Sequence, residues 1–430
     1  NSDFTISTVT PFTIPSTAGL WVDYSGDRNV LIANSSSDTN DLFLNGKLTV
    51  VNGKVYVGSR NAPSNNNDIE YAGGGASAID VRGGQLVVNG QIRRNPSSAS
   101  GILKYTQSGG EVLVNGSNAN TTNAKLEVLN SGSAFNMSGG TLRLVRGGGG
   151  NAFGDLYLRP QHSSVTGGDI VFEHNLGGEQ QYLLDATVPL NNVKIVGNVG
   201  TANAVVKLLI SPLTLKGNLE LSNANSVFDS NEEYNIGLSI KGNLINNGVF
   251  AHREALTTFN GGVQRVEGTS ATGFYDLKIN PVTSVTMTKD VLVSGNLELA
   301  SGQLLLGENS MNVQGNLTNN ATYRNAVAQG GLVLAGGDAE HQISGTGTFG
   351  RLELNNANGA RLLNDVTLQN DFVLSSGVFN INQYLLTLGE NAEIVGAGFG
   401  PGKMISSDGV YSNVGIRKFF PVLSAATEFT

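Results

Sequence analysis

The sequence predicts an all-β chain wound as a right-handed parallel β-helix of about 16 rungs, and three observations predict it. The first is a repeat with no gap. Laying Phe274 to Val313 over Phe349 to Leu388, 75 residues on, matches Phe274 with Phe349, Leu277 with Leu352, Asn280 with Asn355 and Leu299 with Leu374. Only 8 of the 40 positions are identical, yet the apolar slots agree: Leu297 opposes Phe372 and Leu304 opposes Phe379. Fixed period with drifting identity marks a stacked repeat architecture. The second is a shorter signal, Gly-Gly-x-Φ-x-Φ with Φ apolar, whose second glycines Gly84, Gly110, Gly140 and Gly168 stand 26, 30 and 28 residues apart. The third is composition: 57 Gly but 10 Pro among 430 residues, 14% charged and 39% hydrophobic. That balance is poor for surface helices. It suits short strands joined at tight turns, where Gly and Asn supply positive φ.

The elements follow in order. Residues 1–33 hold the single tryptophan, in Trp21-Val22-Asp23-Tyr24. An end rung left open templates aggregation, so this segment is expected to be an N-terminal cap. Residues 34–176 carry the Gly-Gly-x-Φ-x-Φ rungs, two of which run on into Asn89-Gly90 and Asn115-Gly116. Residues 177–412 read as three units of about 75 to 84 residues, each three turns, continuous with the preceding solenoid. Gly-Asn-Leu recurs there, at Gly217, Gly242, Gly295 and Gly315. Triplets such as Leu219-Glu220-Leu221 alternate with period two, one side chain inward and the next outward. A parallel coil gives one repeat per turn; about 16 turns at about 4.8 Å give a length on the order of 75 Å. Residues 413–430 are expected to start a further module, and the chain reads as a piece of a longer polypeptide.

The rungs, as in Ser108-Gly109-Gly110-Glu111-Val112-Leu113-Val114-Asn115-Gly116, resemble those of secreted bacterial right-handed β-helix proteins, including autotransporter-type passengers. The stretch Gln342 to Phe349 with Leu352-Glu353-Leu354, Val366-Thr367-Leu368 and Ser376-Gly377-Val378-Phe379 resembles very large surface proteins of Bacteroidota-type bacteria. The resemblance implies a secreted, cell-surface protein exported by a type IX secretion system, acting as an adhesin or gliding-surface component. An outer-membrane translocon and a surface glycan or substratum ligand are the partners it implies.

Composition excludes several chemistries. Net charge is −8 without a basic stripe, so a nucleic-acid partner is not expected. No cysteine is present, which removes disulfides and thiolate sites. No apolar run reaches the about 20 residues of a spanning helix. No cofactor is expected, and no catalytic residue: serines lack a nucleophile-elbow context, and Gly396 to Lys403 has the wrong spacing for a phosphate loop, with Met404 where a magnesium ligand would stand. The histidines His162, His174, His252 and His341 share no ligand spacing. The densest acidic cluster, Asp229, Glu232 and Glu233, reads first as a solvated loop and second as a calcium site, since carboxylate and amide oxygens are hard ligands. Asp23 and Asp27 with Arg28, and Asp38 with Asp41, are lesser cases. Asn218, Asn243, Asn296 and Asn316 recur at one place in the repeat and are expected to form a side-chain ladder at a turn. Arg93, Arg94, Tyr71, Tyr105, Tyr157, Arg253 and Tyr323 are the outward positions where binding could be written. The expected function is a non-enzymatic structural and adhesive solenoid region. The alternative is a carbohydrate-active β-helix enzyme, which needs acidic and basic side chains converging on one sheet.

Overall fold

Short apolar triplets fold as parallel strands, each paired with its equivalent one coil on. The computed structural model describes residues 3–7, 11–34, 41–75, 77–116, 123–148, 154–174, 177–198, 200, 202–325, 329–408 and 414–420. Among these residues there is no helix. The chain divides into two compact units, Asn1–Ser239 with Ile245–Ala251, and Ile240–Leu244 with His252–Thr430. Each is a parallel β-solenoid.

In the first unit three columns of strands make three faces. On one, Val30, Val55, Leu86, Val112, Leu142, Ile170, Val193 and Leu219 stack in register. Along this face a turn takes between 23 residues (Ile170 to Val193) and 31 (Val55 to Leu86). On the second, Leu42, Ile69, Ile92, Leu126, Leu156 and Leu184 stack. On the third, Leu48, Ile79, Tyr105 and Phe135 do so. The side chains of these last two columns have no solvent exposure, and each such burial contributes about 1.5–3 kcal/mol. Like rings stack coil on coil: Tyr105 on Phe135 at 5.2 Å and 9°, Phe228 on Phe250 at 5.5 Å and 7°.

The Gly-Gly motif is a corner where coils nearly touch. Gly110 and Gly140 have φ of 62° and 77°. A Cβ on Gly140 would stand 2.4 Å from the Gly109 oxygen and 2.6 Å from the Gly110 oxygen, both backbone atoms of the previous coil. Only glycine supplies both that φ and that clearance. Two strands, Leu126–Leu144 and Leu156–Glu173, run on around such corners, with register shifts at Asn130/Ala134 and near Ser138. The expected boundary at 176/177 falls inside this unit, where Leu156–Glu173 pairs onward with Gln180–Ala186 and Asn192–Val196.

In the second unit Leu277, Leu297, Leu317, Ile343 and Leu362 stack on one face. Val291, Met311, Leu332, Leu352 and Phe372 stack on another. This corrects the expected three turns per repeat. From Leu277 three full turns reach Ile343, and Leu352 comes after it, on a different face. The 75-residue repeat spans eleven strands, three turns and two thirds, so each copy is carried one face around. The polarity pattern survives because every face of the coil makes the same demand, one side chain in and the next out.

Both ends also differ from expectation. The described part of residues 1–33 is itself coil: Phe4, Phe12 and Leu20 pair in parallel with Val30, Leu42 and Leu48. Trp21 is outward on Gly19–Asp23, with the Arg82 guanidinium 5.0 Å from its ring. At the other end Lys403–Ser406 pairs with Gly377–Asn380 inside the expected solenoid, and Gly415–Lys418 pairs with Leu385–Leu388 where a further module was expected to start. Residues 421–430 lie outside the described residues.

Candidate functional site

On the second face of the first unit, the middle, outward position of successive strands holds Phe43, Glu70, Arg93, Glu127, Tyr157 and Asp185. The corner before each strand holds Asp41, Asp68, Gln91, Lys125 and Asp155 in the same register. Coil stacking thus assembles acids and bases from residues some 25 apart in sequence into one continuous row. Period two makes the middle positions outward, yet Glu70 and Arg93 are 5% exposed and Glu127 and Asp185 not at all. The segment after Arg94 is tied across them: Asn95 Nδ2 donates to Glu70 Oε2 at 2.7 Å and Arg94 Nη1 to the Ala99 oxygen at 3.0 Å.

Ions removed from water must be paired, and these are. Arg93 bridges two coils, from Nε to Asp68 Oδ2 at 2.6 Å and from Nη2 to Glu70 Oε1 at 2.5 Å. Arg94 Nε and its backbone N–H both donate to Glu127 Oε1, at 2.8 and 2.7 Å. Arg159 Nε reaches Asp185 Oδ2 at 2.6 Å. Asp41 Oδ1 accepts the Asp68 N–H at 2.8 Å, and Asp68 Oδ1 the Gln91 N–H at 2.6 Å. Burial pushes the Asp41 carboxyl up to about 7, the Asp68 and Glu70 carboxylates add to the rise, and Arg93 opposes it. Burial also raises Asp68 and Glu70, against the pull of Arg93. Burial lowers Lys125, against the attraction of Asp155, and its Nζ donates to the Gly116 oxygen at 3.0 Å. The row is acidic and basic groups converging on one sheet; Asp68, Glu70, Glu127 and Asp185 are buried and bonded, while Asp41 is partly exposed and accepts the Asp68 N–H. Chemically it holds coils together.

The asparagines expected to form one ladder do not: Asn218 lies in the first unit and Asn243, Asn296 and Asn316 in the second. Asn218 and Asn243 precede Leu219 and Leu244; Asn296 and Asn316 precede Leu297 and Leu317 of another column. The bonds run from side chain to backbone. Asn192 Oδ1 accepts the Asn218 N–H at 2.8 Å, and Asn243 Oδ1 the Arg265 N–H at 2.9 Å. Asp276 Oδ1 accepts the Asn296 N–H at 2.7 Å, Asn296 Oδ1 the Asn316 N–H at 2.9 Å, and Asn316 Oδ1 the Gln342 N–H at 2.9 Å. Asp155, Asp185, Asp290 and Asp365 make the same bond to the next coil. These Asx staples satisfy corner N–H groups that the ladders leave free. The repeated Gly-Asn-Leu showed Asn243, Asn296 and Asn316; the aspartates carry no motif.

Asp229, Glu232 and Glu233 are not gathered. Asp229 is buried and accepts the Asn231 N–H at 2.8 Å, whereas Glu232 and Glu233 are exposed. Among the described residues no group of three or more acidic or histidine side chains is placed to hold a metal ion. Asp23 accepts from Asn52 Nδ2 at 2.7 Å, and Asp38 lies outside the described residues. Of the outward binding candidates, Tyr71, Tyr105 and Tyr323 are in fact inward and buried. Their rings fall on the apolar phase of the strand, and their hydroxyls are bonded to the Glu127 oxygen, Gln107 and the Leu332 N–H. Arg93 and Arg94 belong to the ion-paired row. Tyr157 lies under Arg159, whose guanidinium is 5.3 Å from its ring. His341 is buried between the Gly315 oxygen (2.6 Å) and Asn356 Nδ2 (2.9 Å).

One feature escaped sequence reading. Two corner loops one coil apart, Leu209 to Pro212 and Tyr234 to Gly237, line an open, mostly apolar pocket of about 630 Å³. Its signal was Tyr234 directly after Glu232-Glu233, but nothing in the order of residues brings Ile210 beside it. No family model, no curated protein and no solved structure matches the chain.

Proposed function

We propose that this chain is a structural and adhesive β-solenoid region of a secreted bacterial cell-surface protein, delivered by an outer-membrane secretion machine. The observation that carries the reading is where its polar chemistry goes. Buried ion pairs and Asx staples link one coil to the next, which is what a load-bearing display scaffold requires. The absence of cysteine suits export without disulfide formation. Protease shaving and antibody labelling of intact source cells test it: the reading expects the segment to be accessible from outside, and retention in the cytosol would overturn it. Pull-down from outer-membrane extracts expects a large translocon barrel.

The charged row favours a second reading, a carbohydrate-active enzyme whose acid would be Asp41, held near neutral pKa beside Asp68. Turnover of any member of a polysaccharide panel, abolished by Asp41→Asn, would establish that reading and displace the first.

A further inference from the structure

We propose that the pocket between the loops Leu209 to Pro212 and Tyr234 to Gly237 binds one ring of a neutral oligosaccharide. This deepens the adhesive half of the function proposed above and rests on it.

The pocket is built in advance of any ligand. Asn231 and Asn235 hold φ of 69° and 49°. The Asn235 N–H donates to the Asn231 oxygen at 2.8 Å and the Ile236 N–H to the Ser230 oxygen at 2.7 Å, closing a tight turn. Asn231 Nδ2 fastens that turn to the Leu208 oxygen of the previous coil at 2.9 Å. The opposing loop is fixed through the Ser211 N–H, which donates to Asp185 Oδ1 at 2.8 Å. Left-handed asparagines and inter-coil bonds are a costly way to hold a turn, and here they hold Tyr234 out at 60% exposure opposite Ile210 at 56%.

Volume and lining match a small-ligand site: concave, mostly apolar, with few polar groups. The rim selects among ligands. Glu233 is exposed and directly precedes Tyr234, and its carboxylate raises the pKa of the Tyr234 hydroxyl. Arg159, which donates to Ser211 Oγ of the opposing loop at 3.2 Å, is ion-paired with Asp185. The rim is therefore negative. An anion would be repelled by Glu233. A pyranose offers an apolar C–H face to the Tyr234 ring and to Ile210, and hydroxyl donors to the carboxylate.

Calorimetric titration of the whole chain with cellohexaose, maltohexaose and an oligogalacturonate of equal length tests this. The expected result is saturable binding of at least one neutral hexasaccharide and none of the oligogalacturonate. Tyr234→Ala should weaken that binding about tenfold and Ile210→Ser severalfold, with melting temperature unchanged because both side chains are more than half exposed. Tyr234→Phe, which keeps the ring, should retain most of the affinity. No binding of either neutral sugar, preference for the oligogalacturonate, affinity indifferent to Tyr234→Ala, or saturation instead by a leucine-lysine peptide would each overturn the proposal. Surface exposure on cells, measured separately, would stand or fall without it.

Discussion

Replacing Gly140 by alanine isolates the contact between coils. Gly140 has φ of 77°, and its new Cβ would lie 2.4 Å from one backbone oxygen of the coil beneath and 2.6 Å from another. Gly178 is the control: its φ is 82°, but nothing lies within 4 Å of its Cβ position. Both substitutions force alanine into the left-handed region, at about 1–2 kcal/mol. Only Gly140→Ala adds an overlap that no side-chain rotation relieves, worth about 1–3 kcal/mol more. Urea titrations followed by far-ultraviolet circular dichroism should therefore give a loss of about 2–5 kcal/mol for Gly140→Ala and about 1–2 kcal/mol for Gly178→Ala. Stacked coils can lose cooperativity, so the slopes of the two transitions must agree before midpoints are compared. Equal losses at both glycines would refute the claim that the corner is a close approach of backbones.

Three further outcomes follow from the polar rows. Glu127→Ala removes the buried carboxylate that accepts from the partly exposed Arg94 guanidinium and from the Arg94 N–H and should cost about 1.5–3 kcal/mol, read by the same titration. Asn316→Ala removes the acceptor for the Gln342 N–H, which lies at a partly exposed corner; the expected loss is about 0.5–1.5 kcal/mol, and Asn316→Asp, which keeps an acceptor, should restore most of it. Asp41 is raised from 3.8 to about 7 in the folded chain, so the fold binds its proton more tightly than the unfolded chain does. The stability this gives is present below pH 4 and lost as pH rises to 7. Asp41→Asn should therefore gain on the parent across that window, by about 1–2 kcal/mol at pH 8 once solvent screening of this partly exposed group is allowed for; a gap that widens toward low pH instead would contradict the assignment.

How much of this was legible in the sequence follows from what repeats. Inward positions such as Leu297 and Phe372 obey a local rule of alternation, so the coil and its parallel pairing could be read directly. The number of turns in the 75-residue repeat could not, because all faces impose the same alternation and Leu277 and Leu352 satisfy it on different ones. Tyr71 and Tyr105 were misplaced as outward because tyrosine is polar at one end. Inside the coil a single backbone or side-chain acceptor satisfies the hydroxyl and the ring fills the interior. The charged row stayed hidden for a geometric reason. Asp68 and Glu127 are unremarkable in sequence, Arg93 stands out only as half of an Arg-Arg pair, and the three meet only after coils of unequal length bring them into register. The same holds for Ile210 and Tyr234, whose loops share no motif.

Zero-length carbodiimide cross-linking tests the stacking of equivalent residues most directly. Lys194 Nζ lies 2.8 Å from Glu220, Lys278 Nζ 2.8 Å from Glu298, and Lys47 Nζ 3.0 Å from Asp80, each pair one coil apart. Peptide mapping should recover Lys194–Glu220, Lys278–Glu298 and Lys47–Asp80 as intramolecular amides at low conversion. Recovery of these lysines joined instead to acids several coils away, with the three pairs missing, would contradict the register on which the account stands.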